Sequence, residues 1–173
     1  MLKATRKGVS PSHRLKQGSN KVYFRLAGTG KALGNTQLVQ DKAYFEVRVV
    51  KSGEIRVGVS KASRESLDKG VGLDGESWGQ SFTATDELYS YKAPEEAVIG
   101  CLVDQSDYPA RLNYTLNGER LESALVTGMR GPVLPAVSLS AGAEVEVVFD
   151  AGMFYHDVPQ GFSSIIFSQN FMF

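Results

Sequence analysis

The sequence predicts an all-β protein, a two-sheet antiparallel β-sandwich, and three observations predict it. Apolar residues recur with a period of two through most of the chain, the pattern of strands with one buried face. Glycine-bearing turns punctuate these runs at short intervals, and helical periodicity is confined to one short stretch. Many short strands without alternating helices bury their apolar faces by packing sheet on sheet.

Taken in order, "KVYFRL" (21–26) and "TQLV" (36–39) are the first, weakly marked strands. In "YFEVRVV" (44–50), Phe45, Val47 and Val49 point one way while Tyr44, Glu46 and Arg48 point the other. In "EIRVGVS" (54–60) the inward set is Ile55, Val57 and Val59, and the intervening "KSG" predicts a hairpin. "SRESLDK" (63–69) is the helical hint, with Ser63 able to cap one short turn. "QSFTA" (80–84) and "ELYSY" (87–91) are further weak strands. "AVIGCLVD" (97–104) is apolar on both faces, as a strand covered on both sides must be. "RLNYTLNGERLES" (111–123) predicts a hairpin around Asn117-Gly118, the pair that most readily takes the positive φ values of a type I′ turn. "VLPAVSL" (133–139) and "EVEVVFD" (144–150) predict another pair across "SAG", with Val145, Val147 and Phe149 on one face.

The 173 residues fit one domain, 1–173, whose first twenty residues are either a flexible segment or an edge strand. No run approaches the roughly 20 apolar residues of a membrane span, and the N-terminus lacks a secretory core, so a cytoplasmic chain is expected, with the nucleus open to it. A single cysteine, Cys101, and two histidines, His13 and His156, cannot assemble a disulfide or a Cys/His metal site. No EF-hand spacing appears, and neither metal nor cofactor is expected. The net charge of zero conceals an asymmetry. The first acidic residue is Asp41, while Lys3, Arg6, Lys7, Arg14, Lys16, Lys21, Arg25 and Lys31 precede it. This reads as a basic outer edge of the fold. The alternatives are an organelle presequence, against which Gly8, Pro11 and Gly18 break any amphipathic helix, and a phosphate-attracting arm.

No motif assembles a catalytic constellation, and the chain is expected not to be an enzyme. "GTGKALG" (28–34) has the wrong spacing for a phosphate loop and no helix behind it. His156 and Asp157 are adjacent, so in extended chain they point to opposite faces, and "GMFYHDVPQGF" (152–162) reads instead as an apolar strap anchored by Phe154, Tyr155 and Phe162. Asn113 heads a glycosylation sequon but sits mid-strand. Cys101 reads as a small buried hydrophobe, and Trp78 as a core residue rather than an interface anchor.

The run "AYFEVRVVKSGEIRVGVS", a glycine-rich loop into "ESWGQSF", then "AVIGCLVD", "ARLNYTLNGERL" and "GPVLPAVSLSAGAEVEVVF" resembles the SPRY domain family over residues 20–162. The resemblance implies a bent two-sheet sandwich of the concanavalin A-like jelly-roll kind, and a non-catalytic module that recognises a segment of a partner protein through inter-strand loops. It implies a contact surface made of residues 28–35, 64–73 and 138–142. The side chains expected there, exposed on one concave end, are Thr29, Lys31, Leu33, Arg64, Leu67, Lys69, Val71, Leu139 and Ser140. The Arg-Pro pair and the Val-Trp-Gly run of the SPRY adaptors that bind acidic-asparagine peptides are both missing, so a different partner is implied. The alternatives are a small-ligand or glycan-binding sandwich using Tyr108, Asn35 and Trp78, and an RNA-contacting accessory protein using the basic N-terminal segment.

Overall fold

The computed structural model describes residues 3–7, 23–62 and 67–166. The chain runs through β1 (Lys3–Lys7), β2 (Tyr23–Ala27), β3 (Gly30–Leu33), β4 (Lys42–Lys51), β5 (Glu54–Ser60), β6 (Ser77–Thr83) and β7 (Ser90–Lys92). It continues through β8 (Val98–Asp104), β9 (Arg111–Leu116), β10 (Glu119–Thr127), β11 (Leu134–Ser140) and β12 (Glu144–Val148). A single 3-10 turn (Ala151–Met153) and the short β13 (Ser163–Ser164) follow. No α-helix occurs among the described residues, and the segment expected to hold one is a turn at 67–69, its first four residues lying outside them.

The strands form two sheets. One has the order β1-β2-β12-β4-β8-β9-β10, with β13 added beside the start of β4, and the other has the order β3-β11-β5-β6-β7. Pairing is antiparallel except for β6 with β7 and β4 with β13. After Thr83 the chain loops over instead of turning straight back, which brings Ser90 down beside Ser81 in parallel register.

Of the three expected hairpins, only the Asn117-Gly118 turn joins paired strands, its two residues at φ 51° and 84°. The other two turns are arches between sheets. β4 pairs with β12 and β8, whereas β5 pairs with β11 and β6. Likewise β11 lies in one sheet and β12 in the other. The physical reason is that inward faces can be satisfied in two ways: side by side within one sheet, or facing each other across a core. Here Phe45, Val47 and Val49 share a fully buried core with Ile55, Val57 and Val59 of the opposite sheet. The arches brace each other, since a Cβ on Gly53 would lie 2.7 Å from that of Ala143.

Tyr114 ties the layers together, its hydroxyl donating to the Val57 carbonyl at 2.7 Å and its ring lying 5.6 Å from that of Phe82. Cys101 is fully buried in this core, where desolvation pushes its thiol pKa up, so the thiol packs as an apolar group. "TQLV" does not form a strand; Leu38 drops into the core while Val39 is exposed.

Residues 150–166 cross the outer face of the larger sheet. There Glu46 of β4 is fully buried. Its carboxylate accepts the backbone N–H groups of Tyr155 (2.6 Å) and His156 (3.2 Å) and the Tyr44 hydroxyl (2.9 Å). Phe154 meets Tyr44 edge-on at 5.1 Å, and Met153 packs with Tyr23 and Val148 in a small second core. The Gln40 side-chain amide donates to the Ser163 hydroxyl and the Ser164 carbonyl, closing the strap. The strap reading of this segment therefore holds, with the difference that backbone amides rather than aromatic side chains grip the buried carboxylate.

Candidate functional site

The outer face of the smaller sheet is organised around one polar row. Cross-strand pairing places Lys31 (β3) beside Ser138 (β11), Ser138 beside Arg56 (β5), Arg56 beside Ser81 (β6) and Ser81 beside Ser90 (β7). These residues share a face because side chains alternate along a strand and directly paired residues project to the same side.

Half of this row is covered. The segment from Leu67 to Ser77 folds over β3 and β11 and is pinned by its backbone: Lys31 N–H donates to the Leu67 carbonyl at 2.8 Å, and Val71 N–H donates to the Ser138 hydroxyl at 2.9 Å. Lys31 forms an ion pair with Asp74, and both side chains are only 1% exposed. The second oxygen of Asp74 accepts the Ser77 hydroxyl at 2.7 Å and the Glu76 N–H at 3.0 Å. Val71 is fully buried in a trough made by the paired glycines Gly58 and Gly79. A Cβ on Gly79 would lie 2.7 Å from Val71 Cγ1, so the close approach of this segment requires glycine there.

The other half is open. A depression of about 490 Å³ extends over Ser81, Thr83 and Ser90, bounded by residues 84–89 and by Gly53 and Ala141 at the arches. A smaller one of about 180 Å³ lies between Thr29, Asp68, Leu73 and Ser140. Glu54 and Arg56 line both. The floor of the larger depression is a chain of hydroxyls, with Ser90 lying 3.2 Å from both Ser81 and Thr83. Its rim is apolar and exposed, with Leu88 and Tyr89 82% and 87% accessible, and Leu73 on the smaller depression is 61% accessible. Tyr89 is held outward by a left-handed backbone, φ 65°, unusual for a residue with a Cβ.

Arg56 is half-buried at the boundary. Its Nε–H donates to the Val71 carbonyl, and burial lowers its pKa from the usual value. Glu54, beside it on the same strand face, accepts from the Ser140 hydroxyl at 2.9 Å, and its charge opposes the effect of burial on Arg56. Arg56 makes no ion pair among the described residues.

Several residues expected at the contact surface are placed here, and others are not. Thr29, Leu67 and Lys69 are exposed, Leu33 is half-buried, and Ser140 lines the smaller depression. Three expectations of exposure are corrected. Lys31 is buried because Asp74 and the 67–77 segment cover it, Val71 because it fills the glycine trough, and Leu139 because its position in β11 points into the core. Arg64 lies outside the described residues. The residues that sequence reasoning missed are Glu54, Arg56, Ser81, Thr83, Leu88 and Tyr89. Arg56 carried a usable signal, the outward phase of "EIRVGVS"; Tyr89 carried none, because its left-handed backbone belongs to a loop read as strand.

The alternative sites fare differently. Trp78 packs against the core, as expected, which removes it from a glycan-stacking surface. In the basic segment, Arg25 is bonded to Glu144 at 2.9 Å and Lys31 is buried, so part of that charge is neutralised within the fold. The His156 ring lies against Gly118 of the β9–β10 turn, while the backbone N–H of His156 donates to Glu46.

Comparison with known proteins gives a consistent answer. Residues 42–152 match the SPRY domain. The chain is 31% identical over 154 residues to SPRY domain-containing protein 7 of Gallus gallus, covering 84% of this chain and 75% of that one. The Homo sapiens counterpart is 30% identical over the same length. SPRY domain-containing protein 4 of Mus musculus is 32% identical over 139 residues, covering 75% of this chain and 62% of that one. Among solved structures, the SPRY domain of human HERC1 superposes with a TM-score of 0.51 at 17% identity, covering 72% of this chain and 87% of that one, a likeness of fold alone. With the family match covering residues 42–152 and relatives 30–32% identical over most of the chain, the chain belongs to the SPRY domain family.

Proposed function

We propose that this chain is a protein-interaction module that takes a segment of a partner protein onto the half-open outer face of its smaller sheet. SPRY domains are commonly interaction modules and generally non-catalytic. The observation that carries the reading is the exposed apolar rim of Leu88 and Tyr89 around a depression of about 490 Å³, with the exposed Leu73 on the smaller depression beside it. Exposed apolar side chains gathered at a concave, rigidly supported place mark interaction surfaces, and a volume in the range of roughly 300–1,000 Å³ is that of a site for a few side chains. A sandwich with a sealed core presents such loops without itself changing shape. The contact surface shifts accordingly, keeping Thr29, Leu67, Lys69 and Ser140 at its margin and gaining Arg56, Leu88 and Tyr89 at its centre.

Affinity capture from the cell extract tests this, comparing the natural chain with a Leu88→Asp, Tyr89→Asp variant whose melting temperature is unchanged. The reading predicts that specific partners recovered by the natural chain are absent from the variant. Identical recovery by both would overturn it.

A further inference from the structure

The open half of the smaller sheet offers acceptors and has few donors to spare. Hydroxyl protons around the larger depression are already placed within the fold: Thr83 donates to the Thr85 carbonyl at 2.8 Å, Ser90 to the Ser81 hydroxyl at 3.2 Å, and Thr85 to the Glu87 carboxylate at 3.2 Å. At the arch, Ser140 donates to Glu54 at 2.9 Å. A hydroxyl that has given up its proton presents lone pairs, and an ionised carboxylate can only accept. The charged lining leans the same way, with Glu54 and Glu87 set against Arg56. Arg56 is turned to the covering segment, where its Nε–H holds the Val71 carbonyl and its Nη2 comes 3.3 Å from the place a Cβ on Gly72 would take. Glu54 already acts on Arg56, whereas Glu87 is exposed and makes no ion pair among the described residues. Beside Glu87, the exposed Leu88 and Tyr89 supply an aliphatic surface and an aromatic face. Their loop is closed on itself, since the Ser90 N–H donates to the Glu87 carbonyl at 3.2 Å.

A hollow rich in acceptors next to an aromatic ring is complementary to a cationic side chain. Its N–H donors reach carboxylate and hydroxyl oxygens, its methylene stem packs on apolar neighbours, and its charge is drawn to the ring face. We infer that the partner segment inserts a basic side chain, Arg or Lys, into the larger depression, with its charge shared by Glu54 and Glu87 and its stem laid on Leu88 and Tyr89. The inference rests on the proposed function and specifies the chemistry of its ligand. Across the covering segment the smaller depression has the same bias, with Asp68 and Glu54 beside the exposed Leu73.

The test is selection of phage-displayed random dodecapeptides on the full chain. The natural chain should enrich peptides with Arg or Lys at one fixed position among apolar residues, and scrambled versions of them should bind at least about tenfold more weakly. Glu54→Gln combined with Glu87→Gln keeps acceptors for Ser140 and Thr85 and should leave the melting temperature unchanged, because both side chains are exposed. It should weaken the selected peptides about tenfold, the combined worth of two exposed ion pairs. Glu54→Lys combined with Glu87→Lys should select Asp or Glu at that position instead. Peptides that are lost with Leu88→Ser and Tyr89→Ser but bind the glutamine variant undiminished would overturn the basic side chain and leave the proposed surface standing. Enrichment of Asp or Glu by the natural chain, or basic peptides that bind as well when scrambled, would overturn it too. Peptides indifferent to Leu88 and Tyr89 would overturn the surface itself, and no enrichment over bare beads would count against both.

Discussion

The two outer faces of this sandwich solve the same problem to different extents. Each carries a buried charged side chain on a strand, Glu46 on the larger sheet and Lys31 on the smaller, and each brings a segment of chain across to satisfy it. On the larger sheet the 150–166 strap supplies backbone N–H groups and a second apolar core, and its side chains stay on the fold. On the smaller sheet the 67–77 segment supplies Asp74 and stops at Arg56, leaving the β5–β6–β7 side of the row open. The lesson is that the same device, a segment laid across a sheet to satisfy a buried charge, covers one outer face fully and the other only in part, and the part left uncovered is where the depression and its exposed Leu88 and Tyr89 lie.

The largest expected effect falls on the covered end of the open face. Lys31→Ala leaves Asp74 buried beside a missing cation and should cost about 3–5 kcal/mol, whereas Lys31→Met combined with Asp74→Asn, which keeps an acceptor for Ser77 and the Glu76 N–H, should recover most of that loss. Denaturant unfolding of the single and double variants checks this, and equal losses in the two would show that the segment is not held by that pair.

The strap is expected to be next. Glu46→Ala strands the Tyr155 and His156 N–H groups and the Tyr44 hydroxyl without their acceptor, at about 2–3 kcal/mol. Burial holds the Glu46 carboxyl above the usual glutamate range, even though the N–H donors pull the other way. Its contribution is therefore fully present below the ordinary value and is lost as pH rises through the raised one. Glu46→Gln cannot titrate and should lack this decline, so the stability difference between the two proteins should move in the variant's favour as pH rises through that window. A difference that stays constant across it would show that Glu46 does not titrate as described.

Smaller effects separate the strap aromatics. Phe154, edge-on against Tyr44, should cost about 2 kcal/mol on truncation to alanine, and Phe162, half-exposed with Lys42 Nζ 5.6 Å from its ring centre, about 1 kcal/mol. Thermal melts that rank them the other way would move the anchor of the strap toward its C-terminal end.

How much of this could be read in the sequence depends on which interaction decided each feature. Period-two patterning in 44–50 and 54–60 correctly gave the inward residues, because alternation is a local property of the strand. It could not say that these strands lie in different sheets, since the same inward set satisfies a hairpin or an arch. Asn117-Gly118 was legible because its turn is fixed by the two residues themselves. The burial of Lys31 and Val71 was not, because it arises from tertiary partners that no local pattern announces: Asp74 for one, the cross-strand pairing of Gly58 with Gly79 and the Ser138 hydroxyl for the other. Leu139 was misplaced for a simpler reason, as its phase relative to Val137 already put it on the inner face. Arg56 was visible as an outward residue, but only the register across five strands shows that it stands at the edge of a covering segment.

The central claim is that recognition occurs on the open half of the smaller sheet, and site-specific photo-crosslinking in the cell tests it most directly. Tyr89 and Tyr108 are almost equally exposed, 87% and 84%, but Tyr89 rims the open depression while Tyr108 lies in the β8–β9 loop of the other sheet. With a benzophenone amino acid at each position in turn, the account predicts a discrete crosslinked partner from position 89 and none of that mass from position 108. The same partner captured from position 108 and not from position 89 would contradict it.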